Sequence, residues 1–283
     1  MGCAQKSMDL ILDLDLDFFV WPITHMQTGD GRLPDDECSY LASEQEVRCF
    51  LEQNCHLSKD SPLPGQQFRE HEDAFRVWRR WLREGKLSSP FVVVHVDAHA
   101  DLGAGINQTA DYLETKLLAL PVSDRAEPFF GSNGINSGNY LVCAIANRWL
   151  RSLTYVYPTG PKVSAPETEP QSECFEERLR RIRKRIGQFD EQPPVEDLPA
   201  WCFRNSDWKT GTIELARYRP NHFLRAKAVP IEVEPAIPLT LISDRKFEIS
   251  DSFTHLVVAQ SPQYTTESAD RLLPVIAEYF TPA

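Results

Sequence analysis

Asp97, His99 and Asp101 alternate along the segment Asp97-Ala98-His99-Ala100-Asp101, placing two carboxylates and an imidazole within five residues. The aliphatic run 91–94, followed by His95 and Val96, leads straight into this segment in the pattern of a strand buried on both sheet faces. Open α/β sheets bind ligands at the carboxyl ends of such strands. An unpaired carboxylate removed from water is costly, and a divalent cation offsets that cost. The alternative is a solvated acidic loop. A second acidic run, Asp13-Leu14-Asp15-Leu16-Asp17, ends another aliphatic segment. In a strand over 10–16 the two-residue period puts Asp13, Asp15 and Asp17 on one face. Alone, a hydrated edge strand would account for that run. Two acidic strand ends in one chain point to a shared metal site.

Several elements must position these groups. Phe68, His71, Phe75, Trp78 and Leu82 recur at helical spacing, with Gly85 as a stop, so His71 is expected on the inner face of a helix. An inward histidine is either a ligand or a hydrogen-bonded core residue. Further helices are expected over 43–54, 108–120, 138–150 and 267–280, strands over 153–157, 239–242 and 255–259, and a Pro/Gly turn over 62–65. Residues 159–171 are rich in Pro, Thr and Glu and read as an exposed connection. This alternation predicts an α/β fold with a mostly parallel central sheet flanked by helices, formed by a single domain over 1–283 with an insertion around 158–236.

The 283 residues carry 30 Lys and Arg against 41 Asp and Glu, a net charge of −11. Such a balance repels nucleic acid and anionic lipid and favours cations and basic substrates. The basic run 178–186 contains a helical stripe of Leu179, Ile182 and Ile186, so its charges read as a solvated face and not as a nucleic-acid site. Apolar runs fall far short of a membrane span, and the first residues lack the apolar core of a signal peptide. The seven cysteines are scattered and never spaced as CxxC, which predicts a reducing, cytoplasmic setting.

At these residues the sequence resembles the arginase, agmatinase and histone-deacetylase (ureohydrolase) superfamily. Asp97-Ala98-His99-Ala100-Asp101 is similar to its DAHxD metal motif. The alternation from His95 to Asp101, the segment from Leu12 to Phe19 and the upstream Glu70-His71-Glu72 together look most like the atypical peptide arginases. The resemblance implies a three-layer arginase-like fold and two Mn²⁺ ions bridged by hydroxide. By motif, Asp97 would bridge the ions, His99 would bind one, and Asp101 would bind the other while holding the hydroxide. Asp15 and Asp17 would supply the second strand's bridging and terminal carboxylates, His71 the upstream histidine, and Asp13 would stand behind the ligands. Sliding the register by two residues makes Asp13 and Asp15 the pair instead. This oxygen-rich, thiolate-free set suits Mn²⁺, while Zn²⁺, Fe²⁺ and Co²⁺ are compatible with it.

The implied reaction is hydrolysis of the guanidinium group of arginine within a peptide partner, giving urea and ornithine. Two departures bear on it. Ser137-Gly138-Asn139-Tyr140-Leu141 stands where ordinary arginases have a segment like SGNLHG, so the histidine proton shuttle is missing. Ser137 and Asn139 are candidates for positioning substrate, with helix capping as the alternative. His25, just past the second acidic run, is the candidate replacement shuttle, with a surface-loop histidine as its alternative. Nor does a glutamate occur over 257–262 to pair with the guanidinium, which leaves Glu70, Glu72, Asp30 or another acid. A single-metal deacylase of the same superfamily and a non-catalytic metal- or guanidinium-binding protein are the competing readings.

Overall fold

Burial on both faces selects the strands that carry the acidic motifs: every side chain over 10–15 is buried, as are those over 93–96. The computed structural model describes residues 8–24, 31–103, 117–125, 134–160, 202–204, 209–215 and 234–283. In chain order its strands are β1 (Leu10–Asp15), β2 (Val20–Trp21), β3 (Tyr40–Leu41), β4 (Leu63–Phe68), β5 (Phe91–Val96), β6 (Leu150–Tyr157), β7 (Cys202–Arg204), β8 (Thr210–Ile213), β9 (Ile237–Ser243), β10 (His255–Ala259) and β11 (Phe280–Pro282). The described α-helices are α1 (Glu44–Cys49), α2 (Asp73–Arg83), α3 (Tyr140–Ala146) and α4 (Leu273–Ala277).

Nine strands form one sheet in the order β11-β4-β10-β1-β5-β6-β9-β8-β7, and β2 pairs with β3 apart from it. Every neighbouring pair from β11 to β9 is parallel, while β8 runs antiparallel to both β9 and β7. One face of β1 and β5 presents Ile11, Phe91 and Val93 to a core with Phe75, Trp78 and Trp81 of α2 and Leu141 and Ile145 of α3. The other face presents Leu12, Leu14, Val94 and Val96 to a core with Val47 of α1 and Ile276 of α4. Helices thus cover both faces, and the protein has the three-layer α/β fold expected from the sequence. Among the described residues, no helix is long and apolar enough to cross a membrane.

Helix α2 begins at Asp73, later than its apolar spacing predicts, because Phe68 belongs to β4 and residues 69–72 turn between the two. His71 therefore sits in a turn and not on the helix, although it is buried as expected. Gly85 does stop the helix: its φ is 70°, Lys86 N donates to Trp81 O at 2.9 Å and Gly85 N donates to Leu82 O at 3.2 Å. These are the two bonds of a Schellman stop, which favours glycine at the left-handed position.

Strand β4 replaces the turn expected over 62–65. Pro64 and Gly65 sit between β11 and β10, and a Cβ on Gly65 would lie 2.5 Å from the backbone oxygen of Leu256 and 2.8 Å from the Cβ of Phe280. Glycine here marks a close approach of backbones and not a bend. Gly65→Ala is expected to destabilise the fold by roughly 1–3 kcal/mol through overpacking. Urea denaturation checks this, and an unshifted midpoint would show that β10 and β11 can part without cost. Residues 267–280, expected to be one helix, divide into a 3-10 stretch Glu267–Leu272, then α4, with Phe280 opening β11. The expected helix 138–150 shortens to α3, since Leu150 already begins β6. Strands β7 and β8 fall inside the span predicted as an insertion and extend the sheet. Most of that span, the basic run 178–186, most of the helix predicted over 108–120 and His25 lie outside the described residues.

Candidate metal centre

Four adjacent strands, β4, β10, β1 and β5, deliver their carboxyl ends to one place. Register explains the meeting of the two acidic motifs. Asp13 pairs with His95 across β1 and β5, so the polar residues that follow on each strand emerge together. After β1 the chain makes a 3-10 turn, Leu16–Phe19, capped by Asp15, whose Oδ1 accepts from Asp17 N at 3.0 Å. Asp17 therefore leaves the strand but still faces the motif on β5. His71 arrives from the turn after β4, and Ser261 from the end of β10.

Backbone amides hold one oxygen of each of three carboxylates. Asp15 Oδ1 accepts from Asp17 N, Asp17 Oδ1 from Ala98 N at 3.2 Å, and Asp97 Oδ1 from His99 N at 2.6 Å. The second oxygens point inward. His71 Nδ1 lies 2.8 Å from Asp15 Oδ2, 3.0 Å from Asp97 Oδ2 and 3.1 Å from Asp101 Oδ2. Its other nitrogen, Nε2, lies 3.2 Å from Asp13 Oδ1. Beside this group, His99 Nδ1 lies 2.9 Å from Asp17 Oδ2 and 3.6 Å from Asp97 Oδ1, while its Nε2 donates to the Thr24 carbonyl at 2.9 Å. Thus Asp15, His71 and Asp97 form one donor group, and Asp17, Asp97 and His99 another, with Asp97 common to both; Asp101, which also groups with His95 and Asp97, stands beside the first with Oδ2 3.1 Å from His71 Nδ1.

These contacts are not a set of ordinary hydrogen bonds. His71 Nδ1, Asp97 Oδ2 and Asp101 Oδ2 are buried, and none makes a properly directed hydrogen bond. One nitrogen carries at most one proton, so it cannot satisfy three carboxylate oxygens. A cation among them satisfies all three, and the buried Asp and His groups could hold a metal ion. The electrostatics agree. Burial, together with the charges of Asp15 and Asp97, pushes the Asp17 carboxyl well above the usual range. Burial and Asp97 likewise raise Asp101 to about 6. The opposite holds where cationic rings are close. Burial opposes ionisation of Asp13, but His71 and His95 hold it down to about 2. Burial is also outweighed at Asp97, held well below its usual value by His71, His95 and His99. Against burial, Asp13 and Asp15 raise the imidazole of His71, and Asp17 and Asp97 raise that of His99.

The backbone is strained at the same place. Asp101 and Ser261 adopt left-handed φ values of 47° and 46°, which non-glycine residues avoid unless the surroundings enforce them. Ser261 Oγ donates to Asp15 Oδ2 at 2.5 Å. Three contributors were absent from the sequence-based candidates: Ser261, His95 and Tyr140. His95 carried a signal, since it stands two residues before Asp97 on the same alternation. Fully buried, it bridges Asp13 Oδ2 at 3.0 Å and the His99 carbonyl at 3.0 Å.

The candidates Ser137 and Asn139 bond to residues outside the ligand groups. Ser137 Oγ donates to Glu72 Oε2. Asn139 is buried at the N-cap position of α3, but its side chain does not cap the helix. Instead it accepts from Asn136 N at 2.9 Å and donates to Gly134 O at 2.8 Å, bracing the turn that leads into the helix. On the other side of the Asp17 turn, Phe18, Phe19, Trp21, Tyr40 and Phe50 help to line a cavity of about 550 Å³ that reaches Asp244. No protein-family model, curated protein or solved structure matches this chain.

Proposed function

We propose that the protein is a manganese-dependent amidinohydrolase with two metal ions, which hydrolyses the guanidinium group of arginine within a peptide to give ornithine and urea. The observation that carries this reading is the sharing of Asp97 between two adjacent donor groups. Charge supports two ions. With His71 and His99 taken as neutral ligands, each giving one ring nitrogen to an ion, His95, which faces acceptors at both ring nitrogens, is left as the ring that carries both protons. With Asp13, Asp15, Asp17, Asp97 and Asp101 all ionised, four negative charges remain in a buried space, matching two divalent cations. The geometry also favours Asp15 and Asp17 as the paired carboxylates over Asp13 and Asp15, because Asp13 faces the outer nitrogen of His71.

When bound, the ions supply a nucleophile at neutral pH by acidifying water. The chain's own residues do the rest. Asp101, 8% exposed, is the ligand-group carboxylate placed to accept a hydrogen bond from the attacking water. Glu72 follows His71 directly and is oriented by the Ser137 hydroxyl, so it offers a carboxylate to a guanidinium that stays charged at any physiological pH. Tyr264, its ring 5.0 Å from that of His99, adds an aromatic face beside the partly exposed ligand.

The test is urea release from arginine-containing peptides and from free arginine after loading with Mn²⁺. Urea from peptides is the expected result. Hydrolysis of acyl-lysine without urea, with one ion bound per chain, would replace this reading with a single-metal deacylase. Two bound ions with no turnover of either substrate class would indicate a binding protein.

A further inference from the structure

We propose that Tyr140 and Asp13 form a clamp that fixes the His71 ring with Nδ1 toward the ligand group, and that this clamp sets metal affinity on the His71 side without affecting the His99 side. The inference rests on the metal centre described above and is independent of which substrate is used. Tyr140 is completely buried and has no route to a substrate, so its hydroxyl acts through other side chains. It donates to Asp13 Oδ2 at 2.5 Å. With its proton committed there, the same oxygen can only accept at its other contacts, His71 Nε2 at 2.9 Å and His95 Nδ1 at 3.3 Å. Asp13 Oδ1, 3.2 Å from Nε2, is an acceptor too. Both neighbours therefore demand the ring proton on Nε2, and the lone pair of neutral His71 is left on Nδ1, among Asp15, Asp97 and Asp101. The tyrosine ring also lies against the imidazole, with centroids 4.8 Å apart and planes inclined by 35°, which limits rotation of the ring.

Three separate elements build the clamp. Asp13 is fixed on β1 opposite His95, whose Nδ1 holds Asp13 Oδ2 at 3.0 Å. Tyr140 opens α3, and the Asn139 side chain braces the turn before it. His99 is held by different means, through Nε2 to the Thr24 carbonyl, and neither Tyr140 nor Asp13 touches its ring among the described contacts. The two histidine rings consequently have different direct partners, although His95 links Asp13 to the His99 backbone carbonyl. Outer partners of this kind fix the tautomer and orientation of a ligating histidine, and losing one typically costs about 10–100-fold in metal affinity.

Tyr140→Phe keeps the ring and removes only the hydroxyl. The full-length protein, wild type, Tyr140→Phe and His71→Ala, is titrated with Co²⁺ against a competing chelator, with the d–d absorption of the bound ion as readout. His71→Ala identifies the binding step that depends on His71. In Tyr140→Phe that same step is expected to weaken by about 10-fold or more, with its absorption band altered, while the other step keeps its affinity. A purely structural role for Tyr140 would weaken both steps alike or move only the melting temperature. Either result, or weakening of the step that survives in His71→Ala, overturns the clamp. If Tyr140→Phe does not fold, Asp13→Asn is subjected to the same comparison with the same expectation. A wild-type chain that takes up no Co²⁺ overturns the clamp together with the metal centre. Absence of urea release with the selective weakening intact refutes only the substrate.

Discussion

Asp97→Asn is expected to empty both metal positions and abolish turnover. The two oxygens of Asp97 face the histidines of the two donor groups, Oδ2 toward His71 Nδ1 at 3.0 Å and Oδ1 toward His99 Nδ1 at 3.6 Å. An amide in its place keeps one acceptor oxygen but turns a donor NH₂ toward one of the groups and removes a negative charge from both. Activity should fall by about 10⁴-fold, the order seen when a member of a jointly acting catalytic set is lost. Elemental analysis of the purified variant measures the other half of the prediction. Two ions retained per chain would show that Asp97 does not join the groups.

Removing the metal should reverse the pH dependence of stability. In the metal-free protein the Asp101 carboxyl titrates near 6 in place of its ordinary 3.8. Between those values the folded chain binds more protons than the unfolded chain, so stability falls as pH rises through the window. Asp101 alone accounts for on the order of 3 kcal/mol across it. The raised imidazoles of His71 and His99 act in the same direction. Their contribution is complete below the unfolded value of 6.5 and is lost as pH rises through their folded values. Asp13 and Asp97 act in the opposite sense, but their contribution is lost only as pH falls below 3.8, outside this range. A chelated sample should therefore melt lower at about pH 8 than at about pH 5. Metal binds the deprotonated ligands, so loading should erase this decline and add about 2.7 kcal/mol per ion at a hundredfold excess over the dissociation constant. Thermal melts across that range, with chelator and with Mn²⁺, provide the measurement. A chelated protein that gains stability steadily toward alkaline pH would mean that the carboxylates do not repel one another.

The sequence made the centre of the sheet legible because its signals were local. The aliphatic runs before Asp15 and Asp97 mark buried parallel strands, and the alternating acids identify the ends that meet. The sequence shows His71 as a buried histidine but hides its supporting element, because the helical spacing from Phe68 to Leu82 runs through a strand end and a turn. β4 was hidden because Pro64 and Gly65 usually punctuate, and only the approach of Leu256 and Phe280 shows why glycine is needed. Ser261 and Tyr140 had no local signal. Each acts on a residue more than a hundred positions away, Ser261 on Asp15 and Tyr140 on Asp13. In the sequence Tyr140 stands in a segment lacking a shuttle histidine, whereas in the structure its hydroxyl is part of the site's support.

The place of β1 between β5 and β10 has a consequence for biosynthesis. Its neighbour on one side is made early, but its partner on the other is far along the chain: Thr254 bonds to Leu10 across 244 positions. While the ribosome is still translating the intervening segment, the nascent strand therefore carries a bare aliphatic edge. Such an edge invites association with other chains and is a natural client for a chaperone. The serine that bonds to Asp15 also arrives after that partner strand, so the donor groups are completed only once β10 and Ser261 have been made. Metal uptake is accordingly expected to follow the closing of the sheet and not to guide it.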